Sequence, residues 1–330
     1  MPFDFFKNIL PQTPTLRICM FGPRAVGKTT VLTSIFAETQ NTLVDSGLFF
    51  RYKVGSDSAN LVRYKSKLQQ CITSKNAANL PASYEISEFE FELGHSGNVK
   101  ANVVVKDYPG EFLTSRKDEV TKFLDESNVV IIAIDTPYLM EYDGKYNNDK
   151  NNPQLIIDFI ENNPNKFENK LVLFVPLKCE RYFNDRRIDE VTKQVEQVYG
   201  DLIPFFQEHN VASVIAPIKT LGGIEFDCME NNPGFGIPVI AKYRMYEKDP
   251  NYKPRFCVQP MYYLMIYGAN YSRWAKDHAD GFWAKLQAII ARMFENDEKF
   301  QTALRELRTV ILHNTCGYKL LTNNSILRFN

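Results

Sequence analysis

No apolar run in this sequence approaches the roughly 20 residues that a membrane-crossing helix needs, so no transmembrane segment is expected. There is no charge surplus either: 39 lysines and arginines face 39 aspartates and glutamates. That balance removes the basic excess that draws a chain onto nucleic acid or an anionic membrane, a local patch apart. The six cysteines (Cys19, Cys71, Cys179, Cys228, Cys257 and Cys316) are far apart, with no C-x-x-C pair and no secretion signal. They read as reduced thiols of a cytoplasmic protein. The four histidines are scattered, which leaves no zinc-ligand spacing. No internal repeat is visible. The aromatic segment Met1–Leu10 is too short and too acidic for a signal peptide. It either packs on its own domain or docks on a partner or a membrane surface.

What is present is a globular composition, 44% apolar and 13% aromatic over 330 residues. That length suffices for one enlarged domain or a domain with an appendage. Its most informative stretch is Gly22-Pro23-Arg24-Ala25-Val26-Gly27-Lys28-Thr29, a full G-x-x-x-x-G-K-[ST] pattern. Leu16–Phe21 ahead of it reads as a short strand, and Val31, Leu32, Ile35 and Phe36 behind it recur at helical spacing. Strand, glycine loop and helix form the arrangement that phosphate binding requires. Glycines let the backbone curl so that successive N–H groups point inward, and the helix N-terminus adds its positive end. In this reading Gly22 through Thr30 cradle the phosphates, Lys28 neutralises their charge, and the Thr29 hydroxyl ligates Mg2+. The plain alternative is a glycine turn between a strand and a helix.

Downstream the chain alternates strands and helices. A helix is expected over Asn60–Thr73, a half-exposed strand over 84–93, a turn at 94–98 and a second strand over 99–106. A helix near 115–126 leads to a fully buried strand at 128–135, and a polar loop at 142–152 to a helix around 154–161. A strand at 171–176, a helix over about 187–208 and a strand at 211–216 follow. Near-continuous apolar strands between helices predict an α/β fold, a mostly parallel sheet covered on both faces with one antiparallel pair. The organisation expected is an N-terminal segment 1–14, a nucleotide domain 15–220 with a long insertion at 41–82, and a mainly helical extension 221–330. Within that extension Leu221–Tyr246 reads as loops with an irregular hairpin. Phe282, Trp283, Leu286, Ile289, Ile290, Met293 and Phe294 share one helix face.

A phosphate loop alone does not separate kinases, ATPases and GTPases. Asp107-Tyr108-Pro109-Gly110-Glu111, which ends the strand Val103–Lys106, adds the discriminating chemistry. An aspartate there is placed to hold magnesium, and Gly110 supplies a backbone N–H able to reach a γ-phosphate. The alternative is an Asp-capped β-turn. Joined to the phosphate loop, this D-x-x-G pattern resembles switch II of the Ras-like and translation-factor-like GTPases, over roughly residues 15–218. Glu111 stands where Ras-like enzymes carry the glutamine that orients the attacking water. A carboxylate there can orient water or act as a base, but its charge is unfavourable beside a γ-phosphate unless neutralised, so the alternatives are a structural role or slow hydrolysis without an activator. Arg24, where many Ras-like proteins have glycine, either lies near the phosphates, crowds an incoming arginine finger, or is simply exposed.

The base-reading motif N/T-K-x-D is replaced here by Leu177-Lys178-Cys179-Glu180. A carboxylate accepts from guanine's N–H groups, and a lysine stem packs over the base, so Lys178 and Glu180 are the candidate base readers. A surface K-x-E pair is the competing reading. Ala216-Pro217-Ile218-Lys219-Thr220 is the candidate for the second guanine loop, and Thr42, Thr73 or Ser83 for the magnesium-sensing switch I residue. Taken together, G-P-R-x-x-G-K-T-T, the long insertion before a proline, D-Y-P-G-E and the helical tail resemble the bacterial double-GTPase group, from which Leu177 and Glu180 depart. The resemblance implies binding of GTP and GDP with Mg2+, GTP hydrolysis as a molecular switch, a protein partner such as a second GTPase or an activator, and a role in defence or conflict. An ATPase or kinase with the same loop, and a non-hydrolysing interaction module, remain the other classes.

Overall fold

A computed structural model describes residues 15–23, 26–43, 48–56, 59–73, 86–232, 236–246, 251–263, 302, 309 and 318–322. Strand β1 (Thr15–Phe21) feeds helix α1 (Lys28–Leu43), followed by β2 (Leu48–Tyr52), α2 (Ala59–Thr73), β3 (Ser87–His95) and β4 (Asn98–Asp107). Next come α3 (Phe112–Ser115), α4 (Lys117–Glu126), β5 (Val129–Asp135), α5 (Thr136–Met140), α6 (Asn147–Asn151), α7 (Pro153–Glu161) and α8 (Pro164–Phe167). β6 (Leu171–Leu177), α9 (Glu180–Asn184), α10 (Ile188–Tyr199), α11 (Leu202–Glu208) and β7 (Ala212–Ile215) complete the alternating part. Beyond it lie β8 (Ile224–Asn231), β9 (Val239–Met245) and β10 (Lys319–Leu320).

Eight strands form one sheet in the order β10-β7-β6-β5-β1-β4-β3-β2. β4, β1, β5, β6 and β7 run parallel, while β2, β3 and β10 are antiparallel to their neighbours. The mostly parallel α/β architecture expected from the apolar strands is therefore the one observed. Side chains that alternate along each strand divide the core in two. Ile18, Met20, Val129, Ile131 and Ala133 face one side with Val31, Leu32, Ile35 and Phe36 of α1. Cys19, Phe21, Val130, Ile132 and Ile134 face the other, against Val120 and Leu124 of α4, Ile156 and Ile160 of α7, and Val191 and Val195 of α10. Burying each such aliphatic side chain stabilises the fold by roughly 1.5–3 kcal/mol. This fixes the strand ends on which the site is built.

Three local differences from the sequence reading have physical causes. β2 arises in a stretch with little strand signal because its Phe50 stacks on Phe91 of β3 (centroids 4.7 Å apart) and its Tyr52 on Phe36 of α1 (3.9 Å). Tertiary aromatic packing decides there, not local propensity. The single helix expected over 187–208 breaks at Gly200: Ile203 N donates to the Gly200 carbonyl at 2.9 Å, and Pro204 has no N–H to continue the ladder. The polar loop at 142–152 contains α6. Among the described residues, no helix is long and apolar enough to cross a membrane.

The segment after residue 221 contributes the antiparallel pair β8–β9 and a strand, β10, that extends the main sheet beside β7. The helix face expected from Phe282 to Phe294 lies outside the described residues, as does the segment 1–14. What is described of this part is tied to α1. Glu38 accepts from Phe256 N and Val258 N, both at 3.0 Å, and the Ser34 and Tyr252 hydroxyls share a hydrogen bond of 2.9 Å. Burial pushes the Glu38 carboxyl up to about 7 from an ordinary 4.5, against the lowering effect of those N–H donors. A carboxyl raised on folding binds its proton more tightly in the native state, so its stabilising effect is complete below 4.5 and is lost as pH rises through about 7. Urea melts across that window should show stability declining with pH in the wild type and a flatter profile in Glu38→Gln. Identical slopes would remove Glu38 from this linkage.

Candidate functional site

Every element of the site sits at the carboxyl end of a parallel strand. The phosphate-loop sequence follows β1, Asp107 ends β4, Asp135 ends β5, Lys178 follows β6, and 216–220 follows β7. β4 and β5 flank β1 on opposite sides, so the chain reverses its winding there and opens the crevice in which open α/β sheets bind ligands.

The loop from Gly22 to Gly27 is shaped by its neighbours. Gly22 has φ +154°, and a Cβ there would lie 2.9 Å from the Ala133 carbonyl oxygen, so no other residue fits without displacing β5. Val26 is fully buried and anchors the loop from below, and Val31 N donates to the Gly27 carbonyl at 2.9 Å as α1 begins. Arg24 and Ala25 lie outside the described residues. Lys28 folds back over the loop, and its Nζ donates to the carbonyls of Gly22 (3.1 Å) and Pro23 (3.2 Å). That ammonium also stands 3.5 Å from Asp107 Oδ1, with the two side chains 8% and 2% exposed.

Asp107 is the most telling group. Both of its carboxylate oxygens are buried without a hydrogen-bond partner among the described residues. The 3.5 Å approach of Lys28 is an ion pair too long to count as a strong hydrogen bond. Burial raises its pKa, and the Lys28 charge opposes that rise. A buried carboxylate without donors is costly unless a cation completes it. Thr29, half-buried at the start of α1, supplies a hydroxyl of the same hard-oxygen class. Among the described residues no three His, Cys, Asp or Glu side chains cluster as a metal cage. One hydroxyl and one orphaned carboxylate suit magnesium, which keeps waters and takes phosphate oxygens as further ligands. The residues present therefore fit that ion.

Gly110 crosses directly over the loop. A Cβ on it would lie 3.1 Å from the Gly22 carbonyl oxygen and 3.4 Å from Pro23 Cα. The D-Y-P-G turn and the phosphate-loop sequence thus touch through their glycines. Glu111 follows as an exposed residue at the start of α3, its carbonyl accepting from Ser115 N at 3.0 Å. Gly22, Pro23, Gly110, Glu111, Lys150 and Asn151 are among the residues that line a cleft of about 250 Å³.

At the end of β6 the structure departs from the sequence reading at one residue. Lys178 turns the chain with φ +61°, a backbone state that costs a non-glycine residue roughly 1–2 kcal/mol. Its stem passes within 3.9 Å of where a Gly27 Cβ would stand, and its Nζ donates to Asp135 Oδ2 at 2.5 Å. Glu180, by contrast, is 2% exposed and turned into the protein. Its Oε1 accepts from Leu221 N (2.7 Å), Gly222 N (3.3 Å) and the Thr220 hydroxyl (3.4 Å). Burial raises its pKa, and those amide bonds offset part of the rise. The carboxylate expected at the base holds the 220–222 turn in place of facing a ligand. That turn and the 216–220 segment lie beside Cys179, whose N–H donates to the Ile218 carbonyl at 3.3 Å. Thr42 and Thr73 fall inside α1 and α2, and Ser83 lies outside the described residues.

Asp135 was not singled out in the sequence. It is fully buried, binds Lys178, exchanges two backbone hydrogen bonds with the Asn151 side chain (2.8 and 3.1 Å), and leaves Oδ1 without a partner among the described residues. The signal available was an acidic residue closing a strand that is otherwise wholly apolar, Val-Val-Ile-Ile-Ala-Ile-Asp.

No family model matches this sequence, and no curated protein does. Among solved structures it is similar to the GTPase-like domain of S. cerevisiae Ski7, bound to GDP and inorganic phosphate, at 14% identity and a TM-score of 0.47. It is also similar to LeoA, a bacterial dynamin GTPase from ETEC, at 11% identity and a TM-score of 0.32. The alignments cover 84% and 90% of this chain, which spans 53% and 39% of those chains. Neither likeness is close enough to assign a residue, and the functional reading rests on the geometry above.

Removing the Glu180 carboxylate should leave buried N–H groups unpaired and cost about 1–3 kcal/mol of stability. Glu180→Ala in a urea melt checks this, and an unchanged melt would show that the carboxylate does not hold the turn. If holding the turn is its only role, Glu180→Gln should leave any preference between guanine and adenine nucleotides unaltered.

Proposed function

We propose that this chain is a magnesium-dependent GTP-binding protein that hydrolyses GTP and acts as a molecular switch. The observation that carries this reading is the meeting of two motifs some 80 residues apart in sequence: Lys28 lies 3.5 Å from the orphaned carboxylate of Asp107, and Gly110 lies against Gly22. In this reading the amides of Gly22 to Thr30 cradle the phosphates, Arg24 and Ala25 among them, and Lys28 neutralises the terminal ones. Thr29 and Asp107 hold Mg2+, which when bound supplies charge neutralisation at the transferring phosphoryl group. The Gly110 N–H faces the γ-phosphate and reports its loss by moving the turn that carries it. Glu111 orients the attacking water from the rim of the cleft. Lys178 flanks the base, and Glu180 shapes the turn next to it.

The guanine preference, membership of the double-GTPase group, a cytoplasmic place in defence or conflict and a partner that is a second GTPase or an activator rest on the motif resemblance. One observation favours a second reading. With Glu180 engaged by the 220–222 turn, the described residues assign no carboxylate to guanine, as an ATPase or kinase with this loop would have it. A non-hydrolysing interaction module would bind nucleotide without turnover even with its partner present.

Fluorescent GTP and ATP titrations with and without magnesium separate these readings. GTP should bind at least about tenfold more tightly than ATP, and chelating magnesium should weaken that binding. Adenine preference would establish the second reading and overturn the first. Lys28→Ala should lower triphosphate affinity about a hundredfold, the loss of charge-assisted contacts. Unchanged affinity would reject the phosphate loop itself.

A further inference from the structure

The hairpin β8–β9 stands outside the alternating order of strands and helices, yet two clamps fasten it to the strand ends that carry the site. One is Tyr138, three residues after Asp135. Its hydroxyl donates to the Val239 carbonyl and accepts from Ala241 N, both at 3.3 Å. The other is Arg181, three residues after Lys178. Its guanidinium donates to the Asp227 carbonyl at 2.6 Å and lies over the Phe226 ring, 5.4 Å from the centroid. Asn184 and Arg244 add hydrogen bonds of 2.9 Å to the Glu225 carboxylate. One clamp holds β9 and the other holds β8, so the place of the hairpin beside the ends of β5 and β6 is fixed.

What the hairpin brings there is Tyr243. This residue pairs with Phe226 across the hairpin, and its ring centroid stands 5.6 Å from the Lys178 ammonium. The same ammonium donates to Asp135 Oδ2 at 2.5 Å. Lys178 is thus held by a carboxylate from the end of β5 and by an aromatic face from the hairpin, both of which favour a positive charge. As a device for stability the arrangement is poor. The Lys178 backbone is in the left-handed region at φ +61°, Asp135 is fully buried, and a buried ion pair seldom outdoes apolar packing of the same volume. Asp135 Oδ1 and the Tyr243 hydroxyl are also buried without a hydrogen-bond partner among the described residues. Such atoms are rare in natural cores and gather at functional sites. What the two groups do secure is the course of the Lys178 stem, which passes within 3.9 Å of where a Gly27 Cβ would stand.

We propose that the hairpin completes the nucleotide site: Asp135 and Tyr243 are positioning residues that stretch the Lys178 side chain along the phosphate-loop sequence, where its stem flanks the nucleoside. This deepens the nucleotide-binding reading above and rests on it. It implies that the site is not confined to the alternating part of the chain, and that a residue beyond 221 helps to hold the ligand.

Titration of the full chain with a fluorescent nucleoside diphosphate and magnesium, GDP or ADP according to which binds more tightly, tests this through double-mutant cycles. Lys178→Met should weaken binding about tenfold, and Tyr243→Leu and Asp135→Asn about fivefold each. Tyr243→Phe keeps the ring and should recover most of the loss seen with leucine. In the Lys178→Met background, Tyr243→Leu and Asp135→Asn should each weaken binding by less than about twofold further, because both act through the lysine. Equal losses in the two backgrounds would assign these residues a merely structural role and overturn the proposal. So would affinity unchanged by Lys178→Met or by Tyr243→Leu. Thermal melts identify any variant that fails to fold, and should Asp135→Asn be one, the cycle of Tyr243 with Lys178 decides alone. A wild-type chain that binds neither guanine nor adenine nucleotides would reject the nucleotide-binding reading itself, and with it the proposal.

Discussion

A buried ammonium, that of Lys28, held between loop carbonyls and the carboxylate of Asp107 is the interaction on which the site depends. It joins the first turn of α1 to the end of β4, and it can form only because β1 and β4 are parallel neighbours with matched ends, Met20 beside Asp107. The two apolar layers fix that register. A slip of one residue would turn the alternating Ile18 and Cys19 to the wrong faces and bury the wrong side chains. Within this rigid frame the polar groups are left under-satisfied: neither oxygen of Asp107, nor Oδ1 of Asp135, has a hydrogen-bond partner among the described residues. Natural cores rarely tolerate such groups, and where they do the cost is usually linked to binding or catalysis.

The same helix that carries Lys28 and Thr29 at its start carries Ser34 and Glu38 along one side, and these hold the chain at Thr220, Tyr252 and Phe256–Val258. α1 is thus a rod with the phosphate-loop sequence at one end and the C-terminal part along its flank. Lys178, Asp135 and Asn151 make a second chain of contacts, from the end of β6 to α6.

The alternating framework was legible in the sequence because fully apolar strands such as Val129–Asp135 and Leu171–Leu177 admit no other placement than the centre of a covered sheet. The strand–loop–helix pattern round Gly22–Thr29 and the acidic strand end at Asp107 were legible for the same reason: glycine spacing and a carboxylate after a β-run each have few structural solutions. β2 was not, since its pairing depends on aromatic contacts with residues about 15 and 40 positions away. The direction of the Glu180 side chain was not legible either. A K-x-E triplet after a strand is the same text whether the carboxylate faces a ligand or backs onto a turn, and the N–H groups of Leu221 and Gly222 decide it. Asp135 escaped notice because it acquires its meaning only from groups that the fold brings alongside.

Hydrogen–deuterium exchange on the full chain, with magnesium and either GDP or a non-hydrolysable GTP analogue, tests most directly whether the Gly22–Thr29 loop and the Asp107–Glu111 turn form one site. The account predicts slower exchange of the loop amides with both nucleotides, and slower exchange of the 107–111 amides with the triphosphate analogue alone. Exchange at 107–111 that ignores the analogue, or loop amides unaffected by either nucleotide, would contradict it.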